Sequence, residues 1–532
     1  MQLCAAALIF QKFIMKKGII VNQESEGLQH PIGLNPTWTV DDIRAVPHEF
    51  EGTHITDYFL CVNNTCSSYP SKTRTSYLDK YHQTVENGKP VDHKGLPRVV
   101  GAHYIYEVLG VDEFTIQIEE YKKIGINPWI TFRMNDFHDH GMETSPNLTD
   151  FYHEHPEVRR VKFHPEFIHT AADFARDWGH EIVREDMKAF INETLERYDP
   201  YGIELDFQRE LDLFAIGREY EGIEILNGFI REIDALVHKY EEKYGHEIKI
   251  GVRVAPDIQT NLDFGLDVMQ WVQEGIVDLV TIAARFESND TDMPVKLWST
   301  LLKPYGTMLA VCIEPGFAPY KGHDHILPSI DTFAACAANA YSQGADRVYF
   351  FNMFHTNIKD PFDKSAPFIT DGNVWHEAGP ALYWTLINKL GDYDEVLKMN
   401  RRHVITYKDR SQLWRRNTCK PTENRGLWQL PLTFDRDGCF KMHVGDIPEG
   451  AKVTVRFAVS EPEKAMANPP RVFVNSEKCE YLGCEDDKRW YEKPLFAYSV
   501  PKEAFGPTLC PYLIVNEDTT VEYMEAYIKV TK

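Results

Sequence analysis

The chain has no Lys/Arg-rich run, no CxxC pair, no low-complexity segment and no apolar stretch long enough to cross a bilayer, and each absence removes a class of function. With 57 basic against 80 acidic residues and a formal net charge of −23, the surface repels phosphate backbones and anionic lipid, so neither nucleic acid nor membrane is expected as a partner. The ten cysteines occur singly, the nearest neighbours being Cys61 with Cys66 and Cys479 with Cys484. That spacing builds neither a disulfide framework nor a paired metal knuckle, and reduced thiols in a cytoplasmic protein are the expectation. The opening MQLCAAALIFQKFIMKKG has no positive charge ahead of its apolar run and no small-residue cleavage site behind it, so it reads as a poor secretory signal. Residues 1–14 therefore read as an N-terminal extension ahead of Met15.

What is present is a packed, aromatic-rich composition: 43% hydrophobic and 12% aromatic residues in a chain of 532, enough for several domains and for lining a sugar-binding cleft. The acidity is easier to reconcile with a neutral or cationic substrate than with an anionic one. From Gly18 to about Gly391 one unit repeats eight times: a short β-branched or aromatic run with polar residues at its end, an amphipathic stretch of helical period, then a turn. The predicted strands are 18–24, 55–63, 127–136, 201–208, 247–256, 278–287, 307–315 and 346–354. Gly125, Gly245, Gly275, Gly306 and Gly344 each stand just before the next strand, where a left-handed helix cap is expected. This order predicts a (β/α)8 barrel over 15–395, with long insertions at about 64–97 and 136–184 emerging on the face where barrel sites form. Beyond it, short alternating runs with no intervening helices predict a β-sandwich over 400–532, serving as a brace for the barrel or as a carbohydrate-binding module.

The segment YGIELDFQRE (201–210) carries the chemistry. Side chains alternate along a strand, so Glu204, Asp206 and Gln208 share one face and Ile203, Leu205 and Phe207 the other. Helices cover the outside of a barrel, and the polar face must then look inward. The other strands end in Arg133, Asn135 and Asp136, with His138 just beyond; in Arg253 and Asp257; in Arg285 and Glu287; in Glu314; and in Asn352 and His355. Glycosidic cleavage needs one carboxyl to protonate the leaving oxygen and one carboxylate to attack the anomeric carbon or activate water. The fourth and seventh strands flank the barrel mouth, which nominates Asp206 as acid/base and Glu314 as nucleophile, with Glu210 and Glu287 as rivals. Arg133, Asn135, Asp136, His138, Arg209, Arg285, Glu287 and Asn352 are the candidate substrate binders. Glu204, deeper in the strand, is expected to be held by an arginine of a neighbouring strand, and Arg209 either pairs with Asp206 or faces ligand. Trp129, Tyr58, Phe207, Phe286, Phe317, Tyr320 and Phe354 are candidates for a stacking platform.

GIELDFQR is similar to the GI(E/H)xDxxR strand of uncharacterised family-10-like glycosyl hydrolases, and the eightfold pattern with acids ending the fourth and seventh strands resembles the clan of retaining TIM-barrel glycosidases. The resemblance spans residues 15–395 and implies a retaining, cofactor-free glycoside hydrolase with a carbohydrate partner. In the clan the fourth-strand acid is usually a Glu directly after Asn, and this strand has no such pair. Two other readings stay open. His138, His140, His153, His155, His164 and His169 carry donors of metal-ligating type, as a metal-dependent lyase or isomerase would, but no second cluster accompanies them and no metal site is assigned. The same cleft would also serve a non-catalytic sugar-binding protein, and self-association of the barrel is compatible with the sequence.

Overall fold

The structure is a computed structural model that describes residues 18–23, 27–83, 85–86, 89–90, 97–142, 145–161, 171–284, 289–314, 317, 329–352, 380–407, 429–487 and 491–531. Eight strands close into a barrel: β1 (Gly18–Gln23), β2 (Ile55–Cys61), β3 (Asn127–Arg133), β4 (Gly202–Asp206), β5 (Lys249–Val254), β6 (Leu279–Ile282), β7 (Met308–Ile313) and β8 (Arg347–Phe350). Every neighbouring pair is parallel, and β1 closes the cylinder against β8 and β2. Each strand is followed by a helix: α1 (Val40–His48), α2 (Glu113–Lys123), α3 (Glu181–Arg197), α4 (Glu219–Tyr244), α5 (Val268–Gln273), α6 (Val295–Leu302), α7 (Ile330–Ser342) and α8 (Pro380–Lys389). All five predicted capping glycines sit at positive φ, and Gly245 closes α4 directly at φ 76° with its amide bonded to Glu241.

Two apolar cores result from the alternation along each strand. The outward residues, such as Ile203, Leu205, Val252 and Val280, pack under the helices, while Phe59, Trp129, Leu279, Ala310, Cys312, Tyr349 and Phe351 fill the barrel interior. Trp129 seals the N-terminal end. Its indole N–H donates to Asp57 (3.0 Å), its ring stacks on Phe59 with centroids 4.8 Å apart, and its six-membered ring lies over the positions of Gly202 and Gly251. The two glycines are the room this indole requires.

The C-terminal residues form a β-sandwich after the barrel. One sheet has the order β9 (Arg401–Val404), β17 (Thr519–Lys529), β12 (Lys452–Val459), β15 (Leu495–Val500) and β14 (Glu480–Glu485), with β10 (Leu432–Phe434) also on β17. The other runs β11 (Asp437–Cys439), β16 (Pro511–Ile514) and β13 (Arg471–Val474), extended by residues 477–478. Phe457, Val472, Phe496, Leu513 and Met524 are among the side chains packed between them. The sandwich meets the barrel at α7, where the Tyr527 hydroxyl donates to Asp331 (3.1 Å).

The two insertions behave differently. The first leaves the C-terminal end of β2 and lies in part along the outside of α3, where Glu193 accepts from the Lys72 and Thr73 amides and Arg197 donates to the Pro70 carbonyl (2.9 Å). The second brings Asp136 and His138 to the rim. Among the described residues no helix is long and apolar enough to cross a membrane, and the eight described cysteines are all free.

A Cβ added at Gly202 would stand 2.5 Å from the Trp129 ring and 2.8 Å from the Lys249 carbonyl oxygen, whereas one at Gly228 on α4 meets nothing within 4 Å. Gly202→Ala is expected to lower unfolding stability by about 1–3 kcal/mol through overpacking. Gly228→Ala should leave it unchanged or raise it by up to about 1 kcal/mol. Urea denaturation of the two variants checks this, and equal midpoints would show that the indole does not fix the floor.

Candidate active site

The C-terminal end of the barrel is organised around one guanidinium. Arg253 occupies an inward position of β5, level with Asp206 on β4 and Thr281 on β6. Its Nη1 donates to both oxygens of Asp206 (3.1 and 3.2 Å), and its Nη2 donates to Oε1 of Glu314 (2.9 Å). The three side chains are each at most 2% exposed. The Phe351 ring lies against the cation, 3.8 Å from Cζ to centroid, so a π face covers the side the carboxylates leave open. Asp206 also accepts from the Arg209 backbone amide (3.0 Å), and the Cys312 thiol donates to Oε1 of Glu314 (3.4 Å). The structure thus brings the predicted pair to one rim and places a guanidinium between them.

Glu204 lies one layer deeper and is fully buried. The expectation of an arginine partner is corrected: its Oε1 accepts from the Thr131 hydroxyl (2.7 Å) and the Tyr349 hydroxyl (2.8 Å). Burial, reinforced by the negative charge of Asp206, pushes its carboxyl up to about 8, so it carries a proton at neutral pH.

A second polar chain borders the mouth. Arg133 donates from Nη1 to Asp136 (3.0 Å) and from Nη2 to Asn352 (3.5 Å), and Asp136 accepts from Nδ1 of His138 (2.5 Å). Nη2 of Arg209 faces Nε2 of His138 at 2.9 Å. Burial alone would raise Asp136, but His138 on its oxygen and the charges of Arg133 and Arg209 outweigh it and hold the carboxyl well below its ordinary range. Of the two alternatives for Arg209, the pairing of its side chain with Asp206 falls away: Arg253 takes that role, and it is the Arg209 amide that reaches Asp206. Asn352, at φ 51°, stands in the left-handed region that Asn tolerates.

The remaining sequence candidates separate. Asn135 is buried with its amide donating to the carbonyls of Arg176 (3.2 Å) and Asp212 (2.8 Å), so it ties loops together and does not present that amide to the cleft. Glu210 is 4% exposed beside the network. Arg285, Glu287 and His355 lie outside the described residues, as do Phe286, Tyr320, Phe354, His164 and His169. Among the described residues no group of three or more His, Cys, Asp or Glu side chains could hold a metal ion. His140 is buried on the Phe174 carbonyl (3.1 Å) and is driven down to about 3 by burial, while His155 pairs with Glu157 (2.9 Å). Of the proposed stacking aromatics, Trp129 is the floor, and Tyr58 and Phe207 pack outward on Tyr121 and Trp271. Phe351 and Asn289 went unnoticed in the sequence. Phe351 shares the inward parity of Tyr349, a signal that was available.

Glu204 gives a pH prediction. The folded protein keeps its proton up to about 8, whereas the unfolded chain loses it above the ordinary value of 4.5. Between those limits the folded state binds the extra proton, so stability is full at acid pH and falls as pH rises toward 8. Glu204→Gln should flatten that decline by about one proton, or about 1.4 kcal/mol per pH unit. The remaining slope includes Glu113, which burial also pushes up to about 8. Urea unfolding at pH 5, 6, 7 and 8 measures both slopes, and identical slopes would refute the buried protonated carboxyl.

No protein-family model matches the chain, and no curated protein does. Among solved structures it is similar to an alpha-L-fucosidase from Vibrio sp. strain EJY3, at 10% identity over 96% of each chain with a TM-score of 0.37. It is also similar to the tandem catalytic modules of the pneumococcal exo-beta-D-N-acetylglucosaminidase StrH, at 10% identity over 72% of this chain and 84% of that one with a TM-score of 0.38. A third is the glycoside hydrolase domain of PgaB from Bordetella bronchiseptica, at 8% identity over 63% and 93% with a TM-score of 0.34. Likeness at this level assigns neither a family nor a chemistry.

Proposed function

We propose that the chain is a glycoside hydrolase acting on a neutral, hydroxyl-rich glycoside at the C-terminal mouth of the barrel. The observation that carries this reading is the distribution of charge along the barrel axis. The N-terminal end is sealed by Trp129 and Phe59 over the Asp57–Arg347 pair, and a larger set of buried charges lies at the opposite end, where Arg133, Arg209 and Arg253 stand with Asp136, Asp206 and Glu314. Among the described residues these cations and carboxylates are paired with one another, an arrangement of donors and acceptors that suits sugar hydroxyls better than a phosphate or a polyanion.

Asp206 and Glu314 are the working pair in this proposal, with their sequence-derived roles exchanged. Arg253 holds Asp206 through both oxygens and Glu314 through one, and the Arg209 amide adds a third donor to Asp206. Three donors converge on Asp206, which takes the anomeric carbon, while Glu314 delivers the proton to the departing oxygen. Both carboxylates reach one guanidinium, which holds them close and favours the retaining course, for which about 5 Å is needed against about 6.5–9.5 Å for inversion.

Asp206→Asn and Glu314→Gln test the assignment and keep an oxygen for Arg253, whereas alanine would leave a buried cation uncompensated at a cost of about 3–5 kcal/mol. Glu314→Gln is expected to slow hydrolysis of glycosides with poor leaving groups by about 10²–10⁴-fold and to be nearly silent with dinitrophenyl glycosides, which need no protonation. Asp206→Asn should abolish both. The opposite pattern would return Asp206 to the acid role, Glu210→Gln behaving as the acid variant would move the proton there, and undiminished turnover in both variants would end the assignment.

A further inference from the structure

The β-sandwich reaches the Glu314 end of the network through two residues. Glu314 lies one position past the last residue of β7, beyond the ladder: β6 pairs no further along β7 than Val311, and β8 no further than Ile313. Its main chain is held instead by the Asn289 side chain, whose Nδ2 donates to the Glu314 carbonyl (2.6 Å) and whose Oδ1 accepts from the Glu314 amide (2.9 Å). One carboxamide thus does what an adjacent strand would do. Asn289 is itself fixed from the sandwich: the Thr406 hydroxyl donates to the Asn289 carbonyl (2.7 Å) and accepts from the Thr291 amide (3.1 Å), and the Thr406 amide donates back to the Thr291 hydroxyl (3.3 Å). Thr406 stands just past β9, next to Ile405, whose amide is bonded to Met524 of β17 (3.0 Å). Outside this buried clamp, Lys441 pairs with Asp292 (3.2 Å), and from the barrel side Asn339 donates to the Thr291 carbonyl (2.8 Å). Asn289 is 3% and Thr406 7% exposed, so water does not substitute freely for either contact.

We propose that the sandwich is a positioning element of the active site: Thr406, acting through Asn289, sets the backbone of Glu314 and with it the second carboxylate on Arg253. Thr406 and Asn289 touch no reacting atom and are positioning residues. The kinetic part of the proposal rests on the role given to Glu314 above; the structural part does not.

The test uses the full chain with Thr406→Val, which keeps the shape and removes the hydroxyl, Thr406→Ser, which restores it, and Tyr527→Phe, which removes a contact between sandwich and barrel outside the Thr406–Asn289 chain. In Thr406→Val, hydrogen exchange followed by mass spectrometry should quicken by about tenfold in peptides covering 289–293 and Glu314, the loss of roughly one hydrogen bond. On an aryl glycoside with a poor leaving group, kcat should fall by about tenfold with KM within about twofold, and Thr406→Ser should recover both readouts. Tyr527→Phe should leave them at parental values. Exchange and kcat unchanged in Thr406→Val, or Tyr527→Phe matching its effect, would overturn the proposal. Faster exchange in a protein whose parent turns over no glycoside would support the positioning link and defeat the glycosidase reading, so the two failures are told apart.

Discussion

Arg253 is the constraint on which the C-terminal end of the barrel depends. A guanidinium at the centre of a closed sheet has lost its water, and its charge is tolerable only with acceptors on the directions its donors take. Asp206 and Glu314 fill two of them and Phe351 covers the ring face. The interior holds three carboxylates within reach of this one cation, and the cation serves two. Glu204, the third, escapes the missing charge by keeping its proton, with Thr131 and Tyr349 donating to one of its oxygens. Its neutrality is thus a consequence of how Arg253 is shared. Strand register follows from the same contacts, because a slip of one residue on β4 or β5 would turn Asp206 or Arg253 into the helix layer.

The outer chain from Asn352 through Arg133, Asp136 and His138 to Arg209 repeats the arrangement nearer solvent, with each guanidinium facing an acceptor. The two networks meet at Phe351, whose ring has Arg253 at 3.8 Å and Arg209 at 5.8 Å. Solvent reaches His138 on this chain, at 39% side-chain exposure. A ligand entering the mouth would therefore meet an imidazole held from behind by a carboxylate before it met the buried pair.

The barrel was legible in the sequence because two periods alternate eight times and the helix ends carry glycines in the conformation their position requires. All eight strands fall inside their predicted ranges. The edge strand β14 leaves little apolar alternation to read, because its residues are mostly exposed. In the site, the inward parity of YGIELDFQRE placed Glu204 and Asp206 correctly, but parity gives a direction and not a partner. Arg253, Arg133 and Arg285 were equivalent in that respect, and only the strand order and side-chain reach select Arg253 for Asp206. Nor does a pattern of residues reveal that part of the first insertion lies along α3, which depends on Glu193 and Arg197 being there to receive it.

Asn289 marks the limit of sequence reading more sharply, because its work is done entirely on main-chain atoms. A barrel strand that ends early leaves its last residue without a neighbour, and catalytic groups are placed at just those ends. Something must replace the missing ladder if the carboxylate is to keep its direction. A side-chain carboxamide has one donor and one acceptor at the spacing of a peptide group, so an Asn on the adjacent loop can stand in for a strand, provided its own backbone is tied down. Thr406 ties it, and Thr406 belongs to the sandwich. The second module then has a physical reason to follow the barrel whether or not it touches a sugar, since the loop after β6 has part of its buried main chain satisfied by the chain that comes after it.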